Sequence, residues 1–424
     1  MKNFVKHILL FIVMVIAVPR ADAAYLLIPM DETQSNHLKA YGIAYWVLER
    51  DVEISWLLNY RGGSYLIPYH DSFERECRLR NVSFSVIADV QAQSILNEIA
   101  DPGVNMDEMK LQKVPRLAVY APKNILPWDD AVTLVLTYAE IPFDIIYDDE
   151  VLDGLLPTYD WLHMHHEDFT GQYGKFWARY RNYPWYQEDV KEQEATARRH
   201  GYTKVSQLKL AVAKKIRDFV AGGGYLFAMC SAPDSFDIAL AAEGLDICDV
   251  MFDGDAIRPG DPSHLNYDNC LAFTDFTVST NPQEYEVSDI DVTNRRPKSI
   301  NENNDFFLLF DFSAKWDPVP TMLTQNHEKM IKGFMGQTTA FDKSLVKPTV
   351  VVLGDNAAFE EDRYIHGDFG NGFWTFFGGH DPEDYQHLVG DPPTELDMHP
   401  NSPGYRLILN NVLFPAAKKK KQKT

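Results

Sequence analysis

The chain has few cysteines, fewer basic than acidic residues, and no long apolar run outside its N-terminal region. No C-x-x-C pair occurs, so nothing supports a cysteine-based zinc site. Lys plus Arg number 40 against 61 Asp plus Glu, which gives a formal net charge of -21. Such an acidic surface repels phosphate backbones and excludes general nucleic-acid binding. The composition, with 45 % hydrophobic and 24 % charged residues, is that of a globular protein rather than a fibre or a disordered chain.

Both ends of the chain differ from the acidic body. Lys2 and Lys6 precede an apolar run over residues 8–18, and Ala21-Asp22-Ala23 follows, a pattern typical of a secretory signal. The run is shorter than the about 20 residues that span a bilayer. We therefore predict a signal peptide over residues 1–23, rather than a buried helix. The mature protein would then be periplasmic or extracellular, with no transmembrane span after cleavage. Residues 417–424 carry five lysines and are expected to form a basic, disordered tail.

The four cysteines of this exported chain could form two disulfides. Three pairings are possible, and the sequence does not choose among them. A chain of 424 residues can also bury a sufficient core without such cross-links.

Two α/β units are predicted after the signal. Residues 24–112 contain short strands, helices and a hairpin signal at Arg61-Gly62-Gly63, and Asp101-Pro102-Gly103 marks the edge of this small unit. Residues 113–416 alternate strands and helices, which predicts a doubly wound, mainly parallel sheet. The strongest helix follows Thr203, a candidate cap, and ends at Gly222. Residues 250–345 are polar and are interpreted as an insertion on this sheet.

Ligands of open α/β sheets gather at the carboxyl ends of the strands. Three predicted strand ends carry reactive side chains. Cys230 lies between a strand and a helix, where a nucleophile is exposed near helix N–H groups. His380 follows a strand and Gly378-Gly379, where it could act as a general base. The third end carries His163, His165 and Asp168, together with His166 and Glu167.

The order of a strand, a cysteine on a turn and a later strand followed by histidine resembles the class I glutamine amidotransferase-like fold. Residues 222–225, 379–381 and 405–411 resemble its trehalose-utilisation (ThuA-like) branch. The whole chain, including residues 28–32 and 59–63, resembles exported bacterial proteins labelled asparagine synthetase B. That synthetase activity is nevertheless not expected, because the sequence contains no S-G-G-x-D-S loop for ATP and the predicted mature chain does not begin with cysteine.

The amidotransferase resemblance implies Cys230 as the nucleophile and His380 as the base. Glu383 would be the acid that orients the base, with Asp381 as the alternative, since Pro382 occupies the usual position of that acid. The leading hypothesis is a Cys–His hydrolase whose pocket includes His165 and which acts on a small polar or carbohydrate-derived substrate.

Other interpretations remain open at this point. No cofactor is predicted, but a divalent metal ion could bind His163 and His165 with Asp168 or Glu167, which would make the protein a metal-dependent hydrolase that also uses His380. Cys230 could instead be a small core residue, and the protein a non-catalytic binding protein of the cell envelope. The aromatic residues in 176–186 could stack on sugar rings or pack the insertion. The expected partner is a small molecule, and the oligomeric state is left open.

Overall fold

The computed structural model describes residues 23–123, 127–258 and 260–418. The predicted signal peptide, apart from Ala23, and most of the basic tail lie outside these ranges. Within the described ranges, no helix is both long enough and apolar enough to cross a membrane.

The described residues form fifteen strands and twelve α-helices. The strands are β1 Ala23–Ile28, β2 Ile54–Leu58, β3 Ser64–Pro68, β4 Ser85–Ala88, β5 Asp107–Leu111, β6 Leu117–Tyr120, β7 Asp144–Ile146, β8 Trp161–Met164, β9 Tyr225–Met229, β10 Phe306–Leu309, β11 Met330–Lys332, β12 Phe341–Asp342, β13 Val351–Asn356, β14 Glu361–Phe369 and β15 Gly372–Phe377. The helices are α1 His37–Leu48, α2 Asp71–Leu79, α3 Asp89–Ala100, α4 Ala131–Ala139, α5 Asp148–Leu152, α6 Trp177–Tyr180, α7 Pro184–Arg199, α8 Val205–Ala221, α9 Ala232–Ala241, α10 Val250–Asp253, α11 Pro318–Leu323 and α12 Pro403–Leu413.

The N-terminal sheet is antiparallel, with strand order β4-β1-β3-β2-β5. The predicted hairpin is confirmed, since β2 pairs with β3 across the Arg61-Gly62-Gly63 turn. Gly62 and Gly63 have φ values of 75° and 90° there, a conformation that costs glycine little. Helix α2 and strand β5 were not predicted, because both are rich in charged residues. Strand β5 lies at the edge of the sheet, in the charged stretch after Gly103.

The larger sheet has ten strands and is mixed. Strands β15, β9, β8, β6 and β7 are parallel neighbours, as the α/β prediction requires. Beyond β15 the sheet continues with antiparallel strands, and β10, β11 and β12 come from the polar segment 250–345. That segment thus supplies one edge of the sheet. The α/β class is confirmed, but the parallel arrangement covers only one part of the sheet.

Helices cover both faces of the larger sheet. On one face, α1, α4 and α12 pack against one another, and a single hydrophobic cluster joins them to both sheets. Gly42 of α1 lies so close to α4 that a Cβ atom would be 1.8 Å from the Ala139 carbonyl oxygen. On the other face, α8 and α9 cover a second cluster. The strands between these layers are parallel, so their carboxyl ends lie at the same edge of the sheet. The candidate site forms at that edge.

Two details differ from the sequence-based expectations. Helix α8 is preceded by Lys204 rather than capped by Thr203, whose hydroxyl donates instead to the Gln207 side chain. The possible disulfides are absent from the described residues, which include every cysteine: Cys77, Cys230, Cys248 and Cys270 are free and buried.

Candidate functional site

Cys230 occupies a strained turn between β9 and α9. Its φ of 54° lies in the left-handed region, which is uncommon for a residue with a side chain and clusters at functional sites. The turn is held at two points, because the Cys230 N–H donates to the Gly379 carbonyl at 3.1 Å and the Ala232 N–H to the His165 carbonyl at 3.1 Å. The ends of three strands therefore meet around this one cysteine.

Backbone N–H groups surround the Cys230 sulfur. The N–H of Gln337 donates to Sγ at 3.3 Å, and the N–H groups of Ser231 and Thr338 also act on it. Burial raises the pKa of the thiol to about 12, and these three donors offset only part of that shift. The resting cysteine is therefore a thiol that needs a base, while donors for a developing negative charge already lie beside it.

Two histidines lie beside the thiol. His165 Nε2 is 3.1 Å from His380 Nδ1, and both rings offer a nitrogen within 4.8 Å of each other and of the sulfur. Both histidines are buried. Burial lowers the pKa of His380, and His165 lowers it further. Burial also acts to lower the pKa of His165, but the charge and hydrogen bond of Asp130 and the charges of Glu167 and Asp129 together outweigh it, and the pKa is raised.

Asp130 is the acid of this cluster, and sequence reasoning missed it. Its carboxylate caps α4, accepting from the N–H groups of Val132 at 2.7 Å and Thr133 at 3.0 Å. The same carboxylate lies 3.3 Å from His163 Nε2 and 3.3 Å from His165 Nδ1. Burial acts to raise the pKa of Asp130, but the two histidines hold it well below its usual range. Its position after β6 was the available signal, because that strand end meets the others.

The acids expected to orient His380 are engaged elsewhere. Glu383 Oε2 lies 3.0 Å from His399 Nδ1, and Asp381 accepts the Glu383 N–H at 2.8 Å. Thr394 and Tyr405 also lie near the Asp381 carboxylate and act to lower its pKa, although burial raises it. In the described residues, no hydrogen bond or ion pair joins His380 to Glu383 or Asp381, so the expected pairing is not formed; His380 Nδ1 contacts His165 instead.

The predicted metal ligands are separated in a similar way. His163 and His165 do converge, but on Asp130 rather than on Asp168. Asp168 instead accepts from the N–H groups of Thr170 at 2.7 Å and Gly174 at 3.1 Å, and so holds its own loop. His163 Nδ1 lies 3.1 Å from the carbonyl oxygen of Phe227. Several side-chain groups in the described residues could nevertheless hold a metal ion.

A cavity of about 750 Å³ opens on Cys230 and His380. Phe176 and Tyr180 of the aromatic stretch form part of its wall, whereas Tyr186 packs in the hydrophobic cluster behind it. The segment 250–345 supplies a second wall. Polar and charged side chains lie between the aromatic rings and include Lys175, Arg179, Gln283, Glu286, Asn294 and Gln386. The cavity could thus hold a small polar molecule with an apolar face.

No family model and no curated protein sequence matches the chain. Among solved structures, it is similar to the cytoplasmic protein STM3548 from Salmonella typhimurium, with 9 % identity and a TM-score of 0.34 over 72 % of this chain and 100 % of that one. It is also similar to the cytoplasmic protein STM1381 from Salmonella typhimurium LT2, with 13 % identity and a TM-score of 0.34 over 71 % of this chain and 99 % of that one.

A third similar structure is Gan42B, a GH42 beta-galactosidase from G. stearothermophilus, with 12 % identity and a TM-score of 0.28 over 63 % of this chain and 28 % of that one. Similarities this weak assign neither a family nor an activity.

Proposed function

We propose that this chain is an exported hydrolase of the amidotransferase-like type, in which Cys230 attacks the carbonyl carbon of an amide or ester. The observation that carries the proposal is the position of Cys230 on a strained strand-to-helix turn, with the His165–Asp130 pair beside it. A nucleophile, a base within reach and a third group that orients the base form the arrangement of covalent hydrolases. The amidotransferase resemblance supports the same role for Cys230.

His165 is the proposed base, in place of His380. Asp130 faces its Nδ1, so a proton on that nitrogen leaves Nε2 as the acceptor, and the thiol proton would replace the contact of Nε2 with His380 Nδ1. In the first step Nε2 takes the thiol proton while sulfur bonds to the carbonyl carbon. His165 then gives that proton to the departing amine or alcohol, and a thioester remains. Water hydrolyses the thioester, which releases the acid and restores the thiol.

The backbone donors around the sulfur supply the electrostatic part of the reaction. The negative charge that develops on the carbonyl oxygen forms next to Sγ, within reach of the Gln337 and Ser231 N–H groups. Fixed donors at such a position typically contribute about 3–4 kcal/mol to the barrier reduction. Ser231 directly follows the nucleophile, as in other strand-to-helix nucleophile turns.

The cavity favours a small polar or carbohydrate-derived substrate. Its volume of about 750 Å³ falls in the range of small-molecule pockets, which extends over about 300–1,000 Å³. Rings of Trp128, Phe176, Tyr180 and Tyr285 offer flat apolar surfaces, and the polar residues of the wall can bind hydroxyl or amide groups. An acylated or amidated sugar derivative matches both kinds of surface.

A panel of carbonyl substrates tests the proposal. Purified protein is assayed with p-nitrophenyl acetate, glutamine, asparagine and N-acetylglucosamine, together with the Cys230→Ala and Cys77→Ala variants. Cys77 is a buried cysteine outside the cavity and provides the matched control. We expect turnover that Cys230→Ala abolishes and Cys77→Ala preserves. Turnover that survives in Cys230→Ala would refute the nucleophile. No turnover and no binding of any panel member would contradict the proposed substrate class.

The main competing function is a non-catalytic binding protein, which the high pKa of the thiol favours. It predicts saturable binding of a panel member without product formation.

A further inference from the structure

A second cluster of polar side chains lies in the wall of the same cavity. Asp129, His380 and His387 each offer an oxygen or nitrogen atom, and these three atoms lie within 4.8 Å of one another. Both histidines line the cavity, and their rings stack with centroids 4.7 Å apart. The proposed hydrolytic mechanism uses neither Asp129 nor His387.

The atoms that converge in this cluster lack regular hydrogen bonds. His380 is only 6 % exposed, yet its Nε2 has no hydrogen-bond partner among the described residues. The same holds for both carboxylate oxygens of Asp129 and for His387 Nε2. Asp129 Oδ1 and His387 Nε2 are 2.9 Å apart, the distance of an ion pair. Buried polar atoms without partners are rare, and an ion is one explanation for a group of them.

The opposite nitrogen of each ring is already engaged. His387 Nδ1 lies 2.9 Å from Asp384 Oδ2, and His380 Nδ1 lies 3.1 Å from His165 Nε2. Histidines that bind metals almost always contact a carboxylate or another polar group through the second ring nitrogen, which fixes the ring and its tautomer. Both rings are therefore held with Nε2 left over for a ligand.

A simple ion pair accounts for only part of this geometry. A protonated His387 between Asp129 and Asp384 would balance local charge. It would leave His380 Nε2 without a partner beside that pair, and it would leave Oδ2 of Asp129 without a hydrogen bond. A cation held between the three side chains would give partners to all of these atoms.

We propose that Asp129, His380 and His387 bind a divalent transition-metal ion in the cavity wall. Two imidazoles and one carboxylate are a common ligand set for catalytic zinc and for non-haem iron, with the remaining positions open to water or substrate. These open positions would face the cavity that Cys230 lines. The ion would bind and polarise an oxygen atom of the substrate beside the nucleophile. This site is distinct from the expected one at His163, His165 and Asp168.

Metal titration of the full chain tests the inference without any substrate. Chelator-treated protein is titrated with Zn²⁺ by calorimetry and with Co²⁺ by absorption spectroscopy. We expect one ion per chain. Asp129→Asn and His387→Ala should each weaken binding at least about tenfold, and Asp384→Asn should weaken it by about 10- to 100-fold. His399→Ala is the control, because His399 pairs with Glu383 outside the cluster. Circular dichroism confirms that each variant is folded.

A further variant separates this site from the thiol. Cys230→Ser should retain Co²⁺ binding, and the wild-type spectrum should lack a sulfur-to-cobalt charge-transfer band. Loss of binding in Cys230→Ser, together with such a band in the wild type, would place the ion at Cys230 and overturn the assignment. The absence of stoichiometric Zn²⁺ or Co²⁺ binding would overturn it as well. Neither outcome depends on hydrolysis. The metal site can therefore fail this test while the hydrolase proposal stands, and the reverse also holds.

Discussion

Replacing Asp130 with asparagine tests the charge that orients His165. The introduced amide would keep an oxygen for the Val132 and Thr133 N–H groups, because asparagine and aspartate cap helices about equally well. The capping oxygen, Oδ1, is also the one that faces His165 Nδ1, so the amide nitrogen would take the place of Oδ2 beside His163 Nε2. His165 would keep an acceptor at Nδ1 but lose the negative charge that stabilises the imidazolium formed when Nε2 takes the proton of Cys230.

The expected loss follows from the removal of this charge. Removal of a general base or of its orienting acid typically lowers kcat by about 10²- to 10⁴-fold, which corresponds to about 3–5 kcal/mol in the barrier. Stability should change less than in Asp130→Ala, which also loses the cap of α4 at a cost of about 1 kcal/mol. Hydrolysis kinetics with the best substrate of the panel, measured beside urea unfolding, separate the two effects.

Glu383→Gln is the matched control for the loss of an orienting acid. Glu383 pairs with His399 and should affect kcat by less than about threefold. Wild-type kcat in Asp130→Asn would refute the role of Asp130. A loss in Glu383→Gln as large as that in Asp130→Asn would restore the original assignment of Glu383 as the acid.

Two further predictions concern buried charges. Burial raises the pKa of Asp291 to about 7, against about 3.9 in an unfolded chain, so the folded protein binds the extra proton between these values. The Tm should therefore fall as pH rises from about 4 to 7, and it should fall less steeply in Asp291→Asn. The same dependence of Tm on pH in the wild type and the variant would contradict this. Lys209→Met leaves the buried Asp148 carboxylate without its cationic partner and should lower the free energy of unfolding by about 3–5 kcal/mol. Lys214→Met, which breaks an exposed pair on the same helix, should cost under about 1 kcal/mol in the same urea titration.

Local sequence patterns predicted much of the parallel half of the fold. The apolar run of β9, the amphipathic helix α8 and the glycines between them are strong signals, and the structure has these elements where they were expected. Strand β14 was missed, although it pairs with β15 through a tight turn, because it carries five charged or histidine residues along its length. Such a strand is recognisable only from its tertiary partners.

The candidate site divides in the same way. Cys230, His165 and His380 were found because each follows a strand of the parallel sheet, and strand order brings those ends together. Asp130 resembled an ordinary helix cap, and only its position after β6 indicated a second role. Glu383 was chosen for its spacing from His380, but backbone direction after β15 decides where that side chain lies.

In the proposed reaction the Cys230 sulfur forms the covalent intermediate. Rapid mixing with p-nitrophenyl acetate, followed by acid quench and mass spectrometry of the digested chain, tests it directly. We expect a burst of nitrophenol close to one per chain and an acetyl group on Cys230, both absent from Cys230→Ala. Steady turnover without an acetylated intermediate, or an acetyl group on another residue of the cavity, would contradict it.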